Sequence, residues 1–136
     1  MNTRIIMTIS ALILGISGLT LSFLPDLFLN NLGVDSSPIT LLLGQIIGGL
    51  YFAFAMLNWM SKESLIGGIY NRPITLANLS HFLIVGLAIL KVLLKNPDLP
   101  ILIWATGIIY LVFGILFTRI FFQHPVKSSD VDFITV

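Results

Sequence analysis

ITLLLGQIIGGLYFAFAMLNWM, residues 39 to 60, carries no charged side chain. At about 1.5 Å per helical residue its length matches the roughly 30 Å hydrocarbon core of a bilayer. Residues 5 to 24, 74 to 94 and 101 to 122 have the same character; Lys91 and Arg119 are their only charges, each near enough to a span end to extend its head group to the interface. With 57% hydrophobic and 10% charged residues in 136, a water-soluble domain would expose large apolar faces and aggregate. The pattern predicts an all-α protein, a four-transmembrane-helix antiparallel bundle over residues 1 to 122 with a cytoplasmic tail at 123 to 136. The loops are too short for any order but up-down-up-down.

Several classes of protein fall away at once. The first run is long for a signal-peptide core and no Ala-x-Ala-like site follows it, so it reads as an uncleaved span. Absence of cysteine removes disulfides, thiol redox relays and thiolate metal sites. A net charge of +1 over short loops provides no nucleic-acid footprint. Arg4, Lys62, Arg72, Arg119 and Lys127 fall on one side of the membrane and only Lys91 and Lys95 on the other. The positive-inside bias therefore predicts both termini in the cytoplasm.

The connections carry helix punctuation. Ser37-Pro38 reads as an N-cap with proline at the first helical position, Arg72-Pro73 and Leu99-Pro100 place proline similarly, and Asn96-Pro97 ends the third span. PDLFLNNLGVDSSP, residues 25 to 38, together with the preceding Leu24, puts Leu24, Phe28 and Leu32 on one helical side, which predicts a short interfacial helix in the first loop. SKESLIGGIYNRP, residues 61 to 73, sets Leu65, Ile66, Ile69 and Tyr70 around Gly67-Gly68 and reads as a loop touching lipid or folded against the bundle.

Polar side chains inside the spans are the informative chemistry, because lipid offers them no hydrogen-bond partner. On span two Gly44, Gly48, Tyr51, Ala55 and Asn58 share a face with Gln45 on its shoulder; on span three Asn71, Thr75, Asn78 and Phe82 share a side with His81 at its edge. Counted from the inner ends, Tyr51 and His81 both lie roughly 12 to 14 Å deep. Tyr51, Asn58, Asn78 and His81 thus form the candidate polar cluster, with a cavity expected to open toward Gly67 and Gly68. Two readings stand side by side: a hydrogen-bonded staple between helices, and a polar ligand or proton-handling site with His81 as its titratable member. Gln45 is expected to bond between helices, Trp59 and Tyr70 to anchor at the inner interface, and Tyr110 to join the central network. Gly44 and Gly48 on span two, Ala11, Gly15, Gly18 and Ser22 on span one, and Gly107, Gly114 and Thr118 on span four are helix-packing stripes.

The stretch GGLYFAFAMLNWMSKESLIGGIYNRPITLANLSHF, residues 48 to 82, resembles a recurrent segment in a family of small bacterial four-span integral membrane proteins, a domain of unknown function. The shared features are Asn58-Trp59 ending span two, the Gly67-Gly68 loop, the Arg72-Pro73 helix start and the step from Asn78 to His81. The resemblance implies a bacterial inner-membrane location and no particular reaction.

Proton-coupled antiport of the small multidrug type needs a membrane carboxylate, whereas Asp26, Asp35, Glu63, Asp98, Asp130 and Asp132 all lie outside the spans. Bis-histidine haem ligation fails because His124 falls in the tail, and no paired-carboxylate or His-Glu arrangement suggests a metalloenzyme. No cofactor is implied. The leading expectation is a non-enzymatic, partner-binding or accessory subunit in contact with membrane lipids, its small-residue faces open to a protein partner or a second copy. The alternative is a lipid or small-molecule binder or transporter using the polar cluster. An enzyme acting on lipid through His81 comes third, and a dimeric halide-type channel is weakened by the clear orientation bias.

Overall fold

Ser37 does what its place before Pro38 predicts: its Oγ accepts the Thr40 amide at 3.1 Å, and proline occupies the first helical position. The computed structural model describes residues 2–64 and 71–122. It gives α1 (Thr3–Phe23), α2 (Pro25–Asn31), α3 (Pro38–Ser61), α4 (Arg72–Lys95) and α5 (Ile101–Phe122). The protein is all-helical over those residues, and α1, α3, α4 and α5 are each long and apolar enough to cross a membrane. The loop at Leu65 to Tyr70, including Gly67 and Gly68, and the tail from residue 123, including His124, lie outside the described residues.

Helix ends are fixed locally. The Asn96 amide closes α4 on the Val92 carbonyl at 3.0 Å. Proline 100 sits one residue before α5 and accepts from the Ile103 amide at 2.9 Å, a single-residue shift from the expected first helical position. After α2 the Gly33 amide bonds the Asn30 carbonyl and the Val34 amide bonds the Leu29 carbonyl, both at 3.0 Å, with Gly33 at φ +72°. That pair of bonds is the Schellman ending, whose left-handed residue favours glycine.

The spans associate as two hairpins, α1 with α3 and α4 with α5, and the hairpins approach each other far less closely. Glycine makes the first seam. A Cβ on Gly18 would lie 2.7 Å from the Phe52 nitrogen, and one on Gly48 would lie 2.7 Å from the Ser22 nitrogen. Both would collide with backbone, so these two glycines let the helices cross in direct main-chain contact. Gly15 faces the Ala55 methyl at an ordinary distance, while Gly44 packs beneath α2 against Pro25, Leu29 and Leu21. The second seam is looser: Gly107 receives Ile89 and Leu93, Gly114 receives Leu83, and Gly86, absent from the predicted packing stripes, receives the main chain of Tyr110 and Leu111.

The short helix α2 departs from expectation in its contacts. Rather than only lying on the interface, it folds over the end of the first hairpin, with Phe28, Leu29 and Leu32 turned toward the space between the hairpins and Leu24 and Leu27 exposed.

Candidate functional site

Four side chains predicted as one cluster belong to two layers. Nearer the termini, Asn58 of α3 and Asn78 of α4 pair their amides reciprocally: each Nδ2 donates to the other's Oδ1 at 2.7 Å. The second Asn58 proton goes to Ser10 Oγ of α1 at 3.0 Å, and the second Asn78 proton to the Ile74 carbonyl at 3.0 Å. Ser10 in turn donates to the Met7 carbonyl. All three side chains are fully buried. Every amide proton is therefore in use, and among the described residues no buried side-chain nitrogen or oxygen lacks a partner. Such a set has no free amide proton to donate to a ligand. Its chemistry is that of a clasp joining α1, α3 and α4.

One turn further into the bundle lies an aromatic layer. His81 stacks on Phe54 with ring centroids 4.8 Å apart, meets Tyr51 edge-on at 5.5 Å, and receives or donates a hydrogen bond between Nε2 and the Tyr110 hydroxyl at 3.3 Å. Tyr51 and His81 are thus level on neighbouring helices, as their depths predict, and Tyr110 joins them. His81 makes no bond to Asn78. It lies at the edge of the Asn78 face, among Tyr51 and Phe54 of α3 and Tyr110 of α5. Phe82, on the other side, stacks with Phe113 at 5.0 Å and Phe117 at 5.6 Å to fill the centre beside it.

Beyond the aromatic layer, toward α2, the hairpins leave between them a half-open cavity of about 540 Å³. Ile13 and Leu21 of α1, Leu43 and Ile47 of α3, and Ile103 and Ile109 of α5 wall it; α2 contributes Phe28 and Leu29; Tyr51 and Tyr110 lie at its deep end. The cavity expected toward the loop at Gly67 and Gly68 falls outside the described residues; the cavity between the hairpins lies on the α2 side, beyond the polar layers. Hydropathy carries no signal for this, because a cavity wall and a lipid-facing surface are both aliphatic.

Gln45 also departs from expectation: it is exposed on the outside of α3 and forms no interhelical bond among the described residues. Trp59 is half-exposed near the end of α3, with Lys62 Nζ 3.1 Å from its ring centroid, a geometry suited to the interface. On the same side Arg4 pairs with Glu63 at 2.8 Å. Ser10 had no sequence signal beyond being a small polar residue in span one. Among the described residues no group of His, Cys, Asp and Glu side chains is placed to hold a metal ion.

No family model, curated protein or solved structure matches the chain.

Proposed function

We propose that this integral membrane protein binds a chain-like apolar molecule of the membrane, a lipid acyl or isoprenoid chain, in the cavity between its hairpins. The observation that carries this reading is the cavity itself: about 540 Å³, walled by aliphatic side chains at bilayer depth. Its size falls in the roughly 300 to 1,000 Å³ range of small-molecule sites. Aliphatic side chains gain dispersion contacts from matching material, and in a bilayer the nearest such material is hydrocarbon. The Asn58 and Asn78 amides support a structural part in this scheme, since their bonds are complete. The glycine stripes that invite a partner subunit are occupied inside the chain. The family resemblance and the charge bias support a bacterial inner membrane with the termini inside and the cavity in the outer half.

Photoreactive phospholipid carrying a diazirine on its acyl chain, incorporated in nanodiscs with the full chain, tests the binding. Labelling is expected on Ile47 and Ile109, and Gly44→Leu, whose Cβ meets only ordinary contacts near 3.6 Å, is expected to fill the space and suppress it. Labels confined to lipid-facing Ile46 and Leu50, unchanged in Gly44→Leu, would overturn the reading. Orientation is tested separately: reporter fusions after Asp35 and Pro97 are expected outside, and those after Ser64 and Val136 inside.

A further inference from the structure

Gln45 is a primary amide on the lipid-facing side of a membrane span. The span threonines behave differently: Thr8, Thr20, Thr106 and Thr118 each return the hydroxyl to a carbonyl of their own helix at 2.7 to 2.8 Å. The amides of Asn31, Asn78 and Asn96 do the same, whereas Gln45 has no hydrogen-bond partner among the described residues. It stands about seven residues, roughly 10 Å, into α3 from Pro38, a depth at which an unpaired amide is costly.

Its surroundings form a seam. Leu42, Gln45, Gly49, Phe52, Met56 and Trp59 recur at alternating steps of three and four, and all six are exposed. That spacing lines one face of a helix in left-handed packing, where a single polar position fixes register. Gly49 lies one turn from Gln45, and a Cβ there would meet nothing within 4 Å, so a second helix has room to approach.

We infer that this seam of α3 joins two copies of the chain in parallel, with Gln45 facing Gln45 across a two-fold axis. A second copy fits because an amide carries donor and acceptor together and pairs reciprocally with itself. The same structure contains that pairing between helices, at Asn58 and Asn78. Two copies inserted in one orientation bring the two Gln45 side chains to the same depth, which an unrelated partner does only if it carries a matching amide. The inference is independent of the cavity and of what fills it.

Because the chain has no cysteine, a single introduced thiol reports the contact. In native membranes Leu42→Cys and Gly49→Cys are expected to give disulfide-linked dimers on mild oxidation, and Ile46→Cys and Leu50→Cys, which face other directions, are not. Adding Gln45→Leu to Leu42→Cys is expected to lower crosslinking about tenfold at low protein density, and Gln45→Asn to retain part of it. Purified chain in nanodiscs, counted by stepwise photobleaching, is expected to change from dimer to monomer with Gln45→Leu while its thermal unfolding is unchanged. Equal crosslinking on and off the seam, a monomeric wild-type chain, or a dimer indifferent to Gln45→Leu overturns the inference. So does a different polypeptide held on the seam in place of the copy.

Discussion

On the termini side of Tyr51 the two hairpins touch through side chains whose hydrogen bonds are complete; on the α2 side the same hairpins stand apart around a cavity. All four spans are strongly apolar, so apolarity alone is not what closes the first half and opens the second. Lipid tails solvate leucine as well as another helix does, and association in a bilayer depends on close fit and polar bonds. In the termini half, amides and stacked rings supply both. In the α2 half each hairpin is held internally, by Gly18 and Gly48 in one and Gly107 in the other, and nothing polar crosses between them.

The largest expected effect tests whether the α2 half is held within its hairpins. Gly48→Leu drives side-chain atoms into the Ser22 and Gly18 main chain and is expected to cost about 3 kcal/mol or more, read as the midpoint of unfolding in mixed detergent micelles. Wild-type stability in this variant would mean that the glycine crossing is not what holds α1 to α3.

Asn58→Leu comes next, since it takes the reciprocal amide from Asn78 and the donor from Ser10, leaving each only the carbonyl bond on its own helix. A loss of about 2 to 3 kcal/mol is expected, and the double variant with Asn78→Leu should recover about 1 kcal/mol relative to the sum of the singles. Strict additivity in that cycle would dissolve the clasp. For the aromatic layer, Tyr110→Phe removes one bond to His81 at about 1 kcal/mol, and His81→Gln, which preserves a polar partner, should be milder than His81→Leu. If Leu and Gln prove equivalent, ring packing rather than hydrogen bonding holds this layer. Smallest is Arg4→Ala: its bridge to Glu63 is solvent-exposed on both sides, and a change of about 0 to 1 kcal/mol is expected in a salt-dependent unfolding measurement.

Much of this contrast was legible in the residues. Span limits followed from length and charge, with observed ends within two residues of 5–24, 39–60, 74–94 and 101–122. Tyr51 meeting His81 followed from equal depth, and Tyr110 from the need of a buried hydroxyl for a partner. What escaped was rotational. A helix apolar on every side does not declare which face is buried, so Gln45, expected to bond between helices, faces outward, and neither Gly86 nor Ser10 carries a signal of its burial. The cavity on the α2 side carries no sequence signal for a related reason: it depends on how one hairpin leans on the other, a relation between residues far apart in sequence. Gly33 carried a signal that could have been used, since a glycine following an apolar residue at a helix end predicts the turn that holds Leu29 and Leu32 toward the cavity.

Ser10 has a consequence for how the protein is made. Each hairpin is built from successive spans, α1 with α3 and α4 with α5, so the first can close in the bilayer while the second is still being synthesised. During that interval Asn58 is already in lipid and Asn78 has not yet arrived. Ser10, supplied by the first span and bonded to the Asn58 amide at 3.0 Å, gives the waiting side chain a partner, so the half-made protein does not hold a bare amide in hydrocarbon until translation brings the other half of the clasp.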